Sequence, residues 1–151
     1  MRKIFVLLML LTISSRAFCQ NKNPFEVKFN HIALSVQDVD KSADFYKNVL
    51  NLKEITNRTK MEGIRWFSLG DGKELHLISV IKEPVTLNKA VHFALSTSNF
   101  DAFLKNVQVL EITYSDWPGE INKVTHRADG IKQIYLQDAD GYWIEINSVE
   151  Q

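Results

Sequence analysis

The stretch Phe29-Asn30-His31-Ile32-Ala33-Leu34-Ser35-Val36 decides the fold, because the chain repeats its centre. His31-Ile32-Ala33-Leu34-Ser35 returns 61 residues later (92 − 31) as His92-Phe93-Ala94-Leu95-Ser96. Each copy runs into a helical pattern that ends in Lys-Asn-Val. A recurrence of this length indicates that one supersecondary unit is used twice. We therefore expect two modules of similar structure, over residues 27–81 and 89–149.

The hydrophobic pattern predicts the same order of elements, β-α-β-β-β, in both modules. In the first module an alternating strand precedes a helix capped by Asp38 or Asp40, and three further strands end near Val80. The second module repeats this order, with a long loop, residues 115–130, before its last two strands. The predicted fold class is α+β.

The N-terminus differs in kind from the rest of the chain. Two basic residues precede an apolar run from Ile4 to Ile13, and small residues follow up to Cys19. This pattern is typical of a secretory signal peptide over residues 1–19, and the run is shorter than the roughly 20 residues of a membrane span. We expect an exported protein, periplasmic or secreted. Retention and acylation of Cys19 is the alternative, which the bulky Phe18 disfavours.

Composition excludes several classes of protein. The chain has 151 residues with 18 basic and 18 acidic side chains, which is typical of one globular domain. The basic residues form no stripe, so we expect no nucleic-acid partner. Cys19 is the single cysteine of the sequence, and neither an internal disulfide nor thiol chemistry is expected.

Strand alternation places four potential metal ligands on the polar faces of the predicted strands. His31 and His92 occupy equivalent positions in the first strands of the two modules, and His76 and Glu145 occupy equivalent positions in the last strands. If the modules pack side by side about a pseudo-twofold axis, the four side chains converge. Three imidazoles and a carboxylate suit a divalent metal ion. The alternative is that the histidines are ordinary structural residues of their strands.

These stretches resemble the vicinal oxygen chelate superfamily, which includes glyoxalase I, fosfomycin-resistance transferases and extradiol dioxygenases. The resemblance rests on the first repeat, on Val91-His92-Phe93-Ala94, and on residues 135–145, Tyr-Leu-Gln-Asp-Ala-Asp-Gly-Tyr-Trp-Ile-Glu. It implies one domain over residues 25–149, in which two tandem βαβββ modules form a cupped eight-stranded mixed sheet with the helices outside. The metal positions that it implies are His31, His76, His92 and Glu145. A fourth ligand at His76 resembles glyoxalase I, although that family usually has a carboxylate at this position.

The resemblance also implies a metal-dependent enzyme with a small, oxygen-chelating substrate. We expect a lyase or isomerase similar to glyoxalase I, with Zn or Ni, or else Fe, Mn or Mg, and with Glu145 as general base. Trp143, His126 and Arg127 are the expected substrate contacts. One alternative is an iron-dependent dioxygenase, in which His76 would not bind the metal. Another is a non-catalytic binder similar to bleomycin-resistance proteins. A homodimer is expected because members of this fold often dimerise.

Overall fold

The computed structural model of the chain describes residues 26–81 and 83–150. The predicted signal peptide, residues 1–19, lies outside the described residues. Within the described part of the chain, no helix has the length and apolar character that a membrane crossing requires.

Two modules follow one another along the chain, as the repeat predicts. The first contains β1 (His31–Ser35), α1 (Val39–Asn48), β2 (Glu54–Ile55), β3 (Ile64–Gly70) and β4 (Lys73–Ile78). The second contains β5 (His92–Ser96), α2 (Phe100–Val109), β6 (Tyr114–Ser115), β7 (Thr125–His126), β8 (Lys132–Gln137) and β9 (Trp143–Asn147). The short strand β7 was not predicted, because two residues inside a long loop are too few to show a period.

Each helix begins at a polar side chain that caps it. The Asp38 carboxylate accepts hydrogen bonds from the backbone N–H groups of Asp40 and Lys41. The Asn99 side chain accepts one from the N–H of Ala102. These bonds satisfy N–H groups that the first helical turn leaves without a partner. In both modules the capped helix starts four residues after the end of the preceding strand.

The strands form two sheets. The first has the order β1-β4-β3-β2, and the second has the order β5-β9-β8-β6, with β7 paired to β8. The pairs β1–β4 and β5–β9 are parallel, and the remaining pairs are antiparallel. Among the described residues no strand pair joins the two sheets. The α+β class is confirmed, with mixed sheets of four and five strands in place of one continuous eight-stranded sheet.

The strand register shows that the sequence repeat is also a structural repeat. His76 and Glu145 each pair with the alanine that lies two residues after the first histidine of their module. On the other side of these strands, Trp66 lies opposite His76 and Tyr135 lies opposite Glu145. Trp66 and Tyr135 therefore occupy equivalent positions next to the two candidate ligands.

The two modules share one hydrophobic core. Its buried side chains come from both sheets and both helices: Leu34, Val36, Ala43, Tyr46, Phe67, Leu75, Leu77, Phe100, Val107, Tyr114, Ile134, Leu136, Tyr142, Ile144 and Ile146. Because alternate residues of a strand face opposite sides, burial of Leu75 and Leu77 turns His76 to the other face of the first sheet. The same alternation turns Glu145 away from the core on the second sheet.

A group of hydrogen bonds joins the end of β1 and the helix α1 to the segment between β8 and β9. The Tyr46 hydroxyl donates to Asp138 Oδ2 at 2.6 Å. The Tyr142 hydroxyl donates to the carbonyl of Ser35 and accepts from its N–H, both at 3.0 Å. These bonds fix the modules to each other without using any of the four candidate ligands.

The Asp138 carboxyl is sensitive to pH because it is buried at this junction. Burial raises its pKa, and the hydrogen bond from Tyr46 opposes that rise. Since the folded-state pKa lies above the ordinary value, the folded protein binds this proton more tightly than the unfolded chain does. The contribution of Asp138 to stability is therefore lost as the pH rises through its folded-state pKa.

Replacing Tyr46 with Phe leaves the ionised Asp138 carboxylate without its hydroxyl donor. We expect the free energy of unfolding to fall by about 1–3 kcal/mol at about pH 8, and by less at about pH 4, near the ordinary pKa of an aspartate. Urea denaturation at the two pH values measures both losses. Tyr114→Phe is the control, because the bonds of its hydroxyl are longer, at 3.1 and 3.3 Å. Equal losses at both pH values would contradict this role of the carboxylate.

Candidate functional site

The polar face of the first sheet carries a column of stacked side chains. The rings of His31 and His76 stack with centroids 4.3 Å apart and planes 18° apart. The Trp66 indole covers the opposite side of His76, with centroids 4.0 Å apart and planes 7° apart. The guanidinium carbon of Arg58 lies 4.6 Å from the centroid of the Trp66 ring. We call Arg58, Trp66, His76 and His31 the stacked column.

Glu74 links two members of the stacked column. Its Oε2 accepts from His76 Nε2 at 2.9 Å, and Arg58 Nη2 donates to its two carboxylate oxygens at 2.8 and 3.0 Å. The side chains of Glu74 and His76 are each only 12% exposed. The hydrogen bonds from His76 and from Arg58 lower the pKa of Glu74. Glu74 is therefore an ionised carboxylate that Arg58 holds in place and that accepts a hydrogen bond from the edge of the His76 ring.

The polar face of the second sheet carries a carboxylate and a histidine. His92 Nε2 lies 3.4 Å from Glu145 Oε2. The Tyr135 hydroxyl donates to the same oxygen at 2.6 Å, and Asn147 Nδ2 donates to the other oxygen at 2.8 Å. These donors offset the cost of burying the charge of Glu145. Burial, followed by the bond to Glu145, raises the pKa of Tyr135, so the phenol keeps the proton that it donates.

Lys89 ties the segment before β5 to the loop after β6. Its Nζ donates to the Ser115 hydroxyl and to the carbonyl of Asp116, both at 2.9 Å. The same ammonium lies 4.9 Å from the centroid of the Trp143 ring. The backbone carbonyl of Lys89 accepts from His92 Nδ1 at 2.8 Å. Lys89 therefore orients a candidate ligand through its backbone and contacts an expected substrate residue through its side chain.

Each of the three candidate histidines donates one ring N–H to an oxygen that can only accept. The pairs are His31 Nδ1 with Asn30 Oδ1 at 2.7 Å, His76 Nε2 with Glu74 Oε2 at 2.9 Å, and His92 Nδ1 with the Lys89 carbonyl at 2.8 Å. When the second ring nitrogen carries no proton, its lone pair is available to a metal ion. Metal-binding histidines are oriented in this way by acceptors behind them. The donors therefore fit a divalent metal ion.

The four predicted ligands lie as two pairs, His31 with His76 on the first sheet and His92 with Glu145 on the second. Across residues 26–81 and 83–150, no three His, Cys, Asp or Glu side chains are grouped so that they could hold one metal ion. A protein metal site generally takes three or four protein ligands, so neither pair completes a site alone. The four-residue ligand set stays a prediction.

The expected substrate contacts all belong to the second module. Trp143 lies on the Glu145 face, next to Lys89. His126 is exposed in β7. Arg127 pairs with Asp129 at 2.6 Å, and its charge opposes the rise that burial causes in the pKa of Tyr135. Arg127 is therefore close enough to act on the Glu145 cluster, while the substrate roles of these residues stay predictions.

A cavity of about 790 Å³ opens beside Tyr135 and Trp143. Lys89 also borders it, and the apolar side chains of Phe45 and Ile112 are among the residues that line it. Its volume falls within the range of about 300–1,000 Å³ that is usual for small-molecule sites. Trp143, an expected substrate contact, therefore borders a space large enough for a small molecule.

Sequence reasoning missed several residues of these clusters, among them Arg58, Trp66, Glu74, Lys89 and Tyr135. Trp66 and Tyr135 could have been found by pairing the predicted strands, since each lies opposite a candidate ligand. Glu74 shares a strand face with His76, two residues away. Lys89 gave no signal, because its contacts are to a loop whose position the sequence pattern does not define.

Replacing Tyr135 with Phe removes the O–H donor from Glu145 Oε2. We expect the free energy of unfolding to fall by about 1–3 kcal/mol at neutral pH, because a buried carboxylate oxygen loses its partner. A double-mutant cycle with Glu145→Gln, measured by urea denaturation, should give a coupling energy of about 0.5–3 kcal/mol. The control cycle pairs Tyr135→Phe with His126→Ala at an exposed site. Independent effects at positions 135 and 145 would contradict the importance of this bond.

Comparison with known proteins agrees with the fold. A model of the Glyoxalase/Bleomycin resistance protein/Dioxygenase superfamily matches residues 28–146. Metallothiol transferase FosB from Staphylococcus saprophyticus is 27% identical over 128 residues, which cover 79% of this chain and 75% of that protein.

Two solved structures are also similar. Oxidase ChaP-H2 has a TM-score of 0.69 at 22% identity, covering 83% of this chain and 96% of its own. Lactoylglutathione lyase from Agrobacterium tumefaciens has a TM-score of 0.61 at 19% identity, covering 82% of this chain and 94% of its own. At these identities the structures show the fold alone. Because the family model spans most of the sequence, the chain belongs to the Glyoxalase/Bleomycin resistance protein/Dioxygenase superfamily.

Proposed function

We propose that this chain is an exported, metal-dependent enzyme that acts on a small substrate with neighbouring oxygen atoms. One observation carries the proposal: in His31 and His92 one ring nitrogen is fixed by a hydrogen bond to an acceptor oxygen, so the other nitrogen of each ring can bind a metal ion. The buried carboxylate of Glu145 adds the oxygen donor. The chemistry that a bound divalent ion would supply is polarisation of the substrate oxygens.

We further propose that a second copy of the chain completes the metal site. His31 of one copy and His92 and Glu145 of the other would supply three donors, with His76 beside them. The polar faces of two copies could pack against each other, because exposed apolar side chains lie beside both pairs of candidate donors. Phe29, two residues before His31, is 62% exposed, and Trp117, whose ring lies 6.1 Å from His92, is 49% exposed. In a twofold dimer the two faces would meet twice and form two equivalent sites.

Glu145 is the residue proposed to move the proton. Its carboxylate is held by Tyr135 and Asn147, so its position is defined before substrate arrives. A carboxylate placed next to a polarised carbonyl can take a proton from the adjacent carbon and return it elsewhere on the substrate. This transfer is the step that a lyase or isomerase similar to glyoxalase I requires. Trp143 would wall the cavity, and His126 and Arg127 would meet an anionic or carbonyl group.

The second candidate function is that of an iron-dependent oxygenase. It is favoured by the stacking of His31 on His76, which leaves two histidines and one carboxylate as the simplest ligand set. That donor set is the facial triad of many non-haem iron oxygenases. The two candidates differ in the metal that they take and in whether the reaction consumes oxygen.

Metal analysis of the mature protein separates the candidates. We propose that this protein begins at Gln20 after export, which its intact mass checks. Near-stoichiometric Zn or Ni, together with isomerisation of a hemithioacetal that Glu145→Gln abolishes, would support the lyase or isomerase. Iron with substrate-dependent oxygen uptake would support the oxygenase. Absence of metal even after reconstitution would contradict both and leave a binding protein.

The shared site is tested by mixing two defective variants. His31→Ala and His92→Ala should each lose metal, but a heterodimer of the two contains one site with both intact halves. Unfolding and refolding an equal mixture should restore about a quarter of the wild-type metal content if subunits pair statistically. The control mixture joins His92→Ala with Glu145→Ala, which both remove donors from the same half, and should restore none. Failure of the first mixture to regain metal would show that the site is not shared between copies.

A further inference from the structure

We propose that His76 is not a metal ligand and instead positions the His31 imidazole by stacking against it. The inference deepens the proposed function and rests on it, since it concerns how the metal site is held. Its basis is the stacked column together with Glu74, an arrangement for which the second module has no counterpart.

The geometry of the two stacked rings opposes shared ligation. The lone pair of an imidazole nitrogen lies in the plane of its ring, so a metal ion lies close to the plane of each histidine that binds it. Planes inclined by 18° at a separation near 4.3 Å converge only on the order of 10 Å away, whereas a Zn–N bond is about 2.0–2.1 Å long. His31 and His76 therefore cannot both direct a lone pair at one ion in this arrangement.

The surroundings of the two histidines show which of them is free to bind. One ring face of His76 is covered by Trp66 and the other by His31, and its Nε2 is bonded to Glu74. His31 is exposed, and the bond from its Nδ1 to Asn30 leaves Nε2 available. His76 is thus held on three sides, while His31 is open to a ligand.

Trp66 contributes through the face of its ring. It is 7% exposed, and its indole nitrogen has no hydrogen-bond partner among the described residues. A buried N–H without a partner carries a cost, so stacking against His76 and the contact with Arg58 are the interactions that hold this indole. Arg58 also donates two hydrogen bonds to Glu74. Trp66, Arg58 and Glu74 are therefore connected to one another around His76.

The second module uses the equivalent positions differently. Glu145 stands where His76 does, and its carboxylate reaches to 3.4 Å from His92. Tyr135, the equivalent of Trp66, meets the His92 ring edge-on, with planes 86° apart. One module therefore offers a histidine beside a carboxylate, and the other offers a histidine supported by a stacked ring. The resulting ligand set is His31, His92 and Glu145.

Aromatic replacement distinguishes a stacking partner from a ligand. His76→Phe keeps a flat ring against His31 but removes both nitrogens, and His76→Ala removes the ring. We expect His76→Phe to keep the wild-type metal stoichiometry with a Kd within about 3-fold of wild type, and His76→Ala to bind about 10–100-fold more weakly, as when a supporting residue is lost. His31→Phe is the matched control and should lose binding. Calorimetric titration of each metal-free dimer with Zn²⁺ measures these constants.

The outcomes separate this inference from the proposed function. If wild type binds Zn²⁺ and His76→Phe loses it as completely as His31→Phe does, His76 is a ligand and the inference is overturned while the metal site stands. Equal Kd values for His76→Phe and His76→Ala would also overturn it, because the ring would then provide no support. If wild type binds no divalent ion, the proposed function fails and takes this inference with it.

A measurement on the unaltered protein guards against variants that fold poorly. In ¹⁵N spectra of the imidazoles, addition of Zn²⁺ should shift the unprotonated nitrogens of His31 and His92 and leave those of His76 near their metal-free positions. His→Gln variants assign the signals. A shift at His76 as large as that at His92 would overturn the proposal.

Discussion

Burial of both apolar sheet faces in one shared core is the constraint on which the rest of the structure depends. Leu75 and Leu77 in the first sheet and Ile144 and Ile146 in the second are all buried in that core. Because strand residues alternate between faces, this burial directs the candidate ligands away from the core. The hydrogen bonds near Asp138 then fix the modules through their buried side. A single chain consequently presents two polar faces, each with half of the candidate donors.

The two modules have the same scaffold, but the side chains at equivalent positions differ in chemistry. Trp66 and Tyr135 occupy one equivalent position, and His76 and Glu145 occupy another. In the second module the Tyr135 hydroxyl donates to the Glu145 carboxyl group, which holds this candidate oxygen ligand in place. In the first module the Trp66 indole stacks on the His76 imidazole, so the contact is between two ring faces. A fold with two equivalent halves can in this way supply two unlike halves of one asymmetric site.

The sequence was sufficient for the fold class and for the faces on which the candidate ligands lie. The recurrence of His31 as His92 and the two-residue alternation of strand faces were enough to locate these residues, because both features depend only on local geometry. The stacking of His76 on His31 could not be predicted, since it depends on side-chain rotamers within the packed sheet. The contacts of Lys89 and Arg58 come from loops, whose positions follow from tertiary packing. The separation of the donors over two sheets depends on which faces of the modules pack together, which alternation alone leaves open.

In the proposed shared site, the side chains of each half would already be held by hydrogen bonds before a ligand binds, which would link assembly to chemistry. Glu145 already has its donors and Glu74 already has Arg58, so little side-chain freedom remains to be lost when a metal binds. Fixing the donors in advance strengthens binding by lowering that entropic cost. In the proposed dimer the remaining requirement would be to bring the two polar faces together, and a metal ion bridging them would stabilise the pair of chains that holds it. By linkage, dimer formation and metal binding in such a protein must each favour the other.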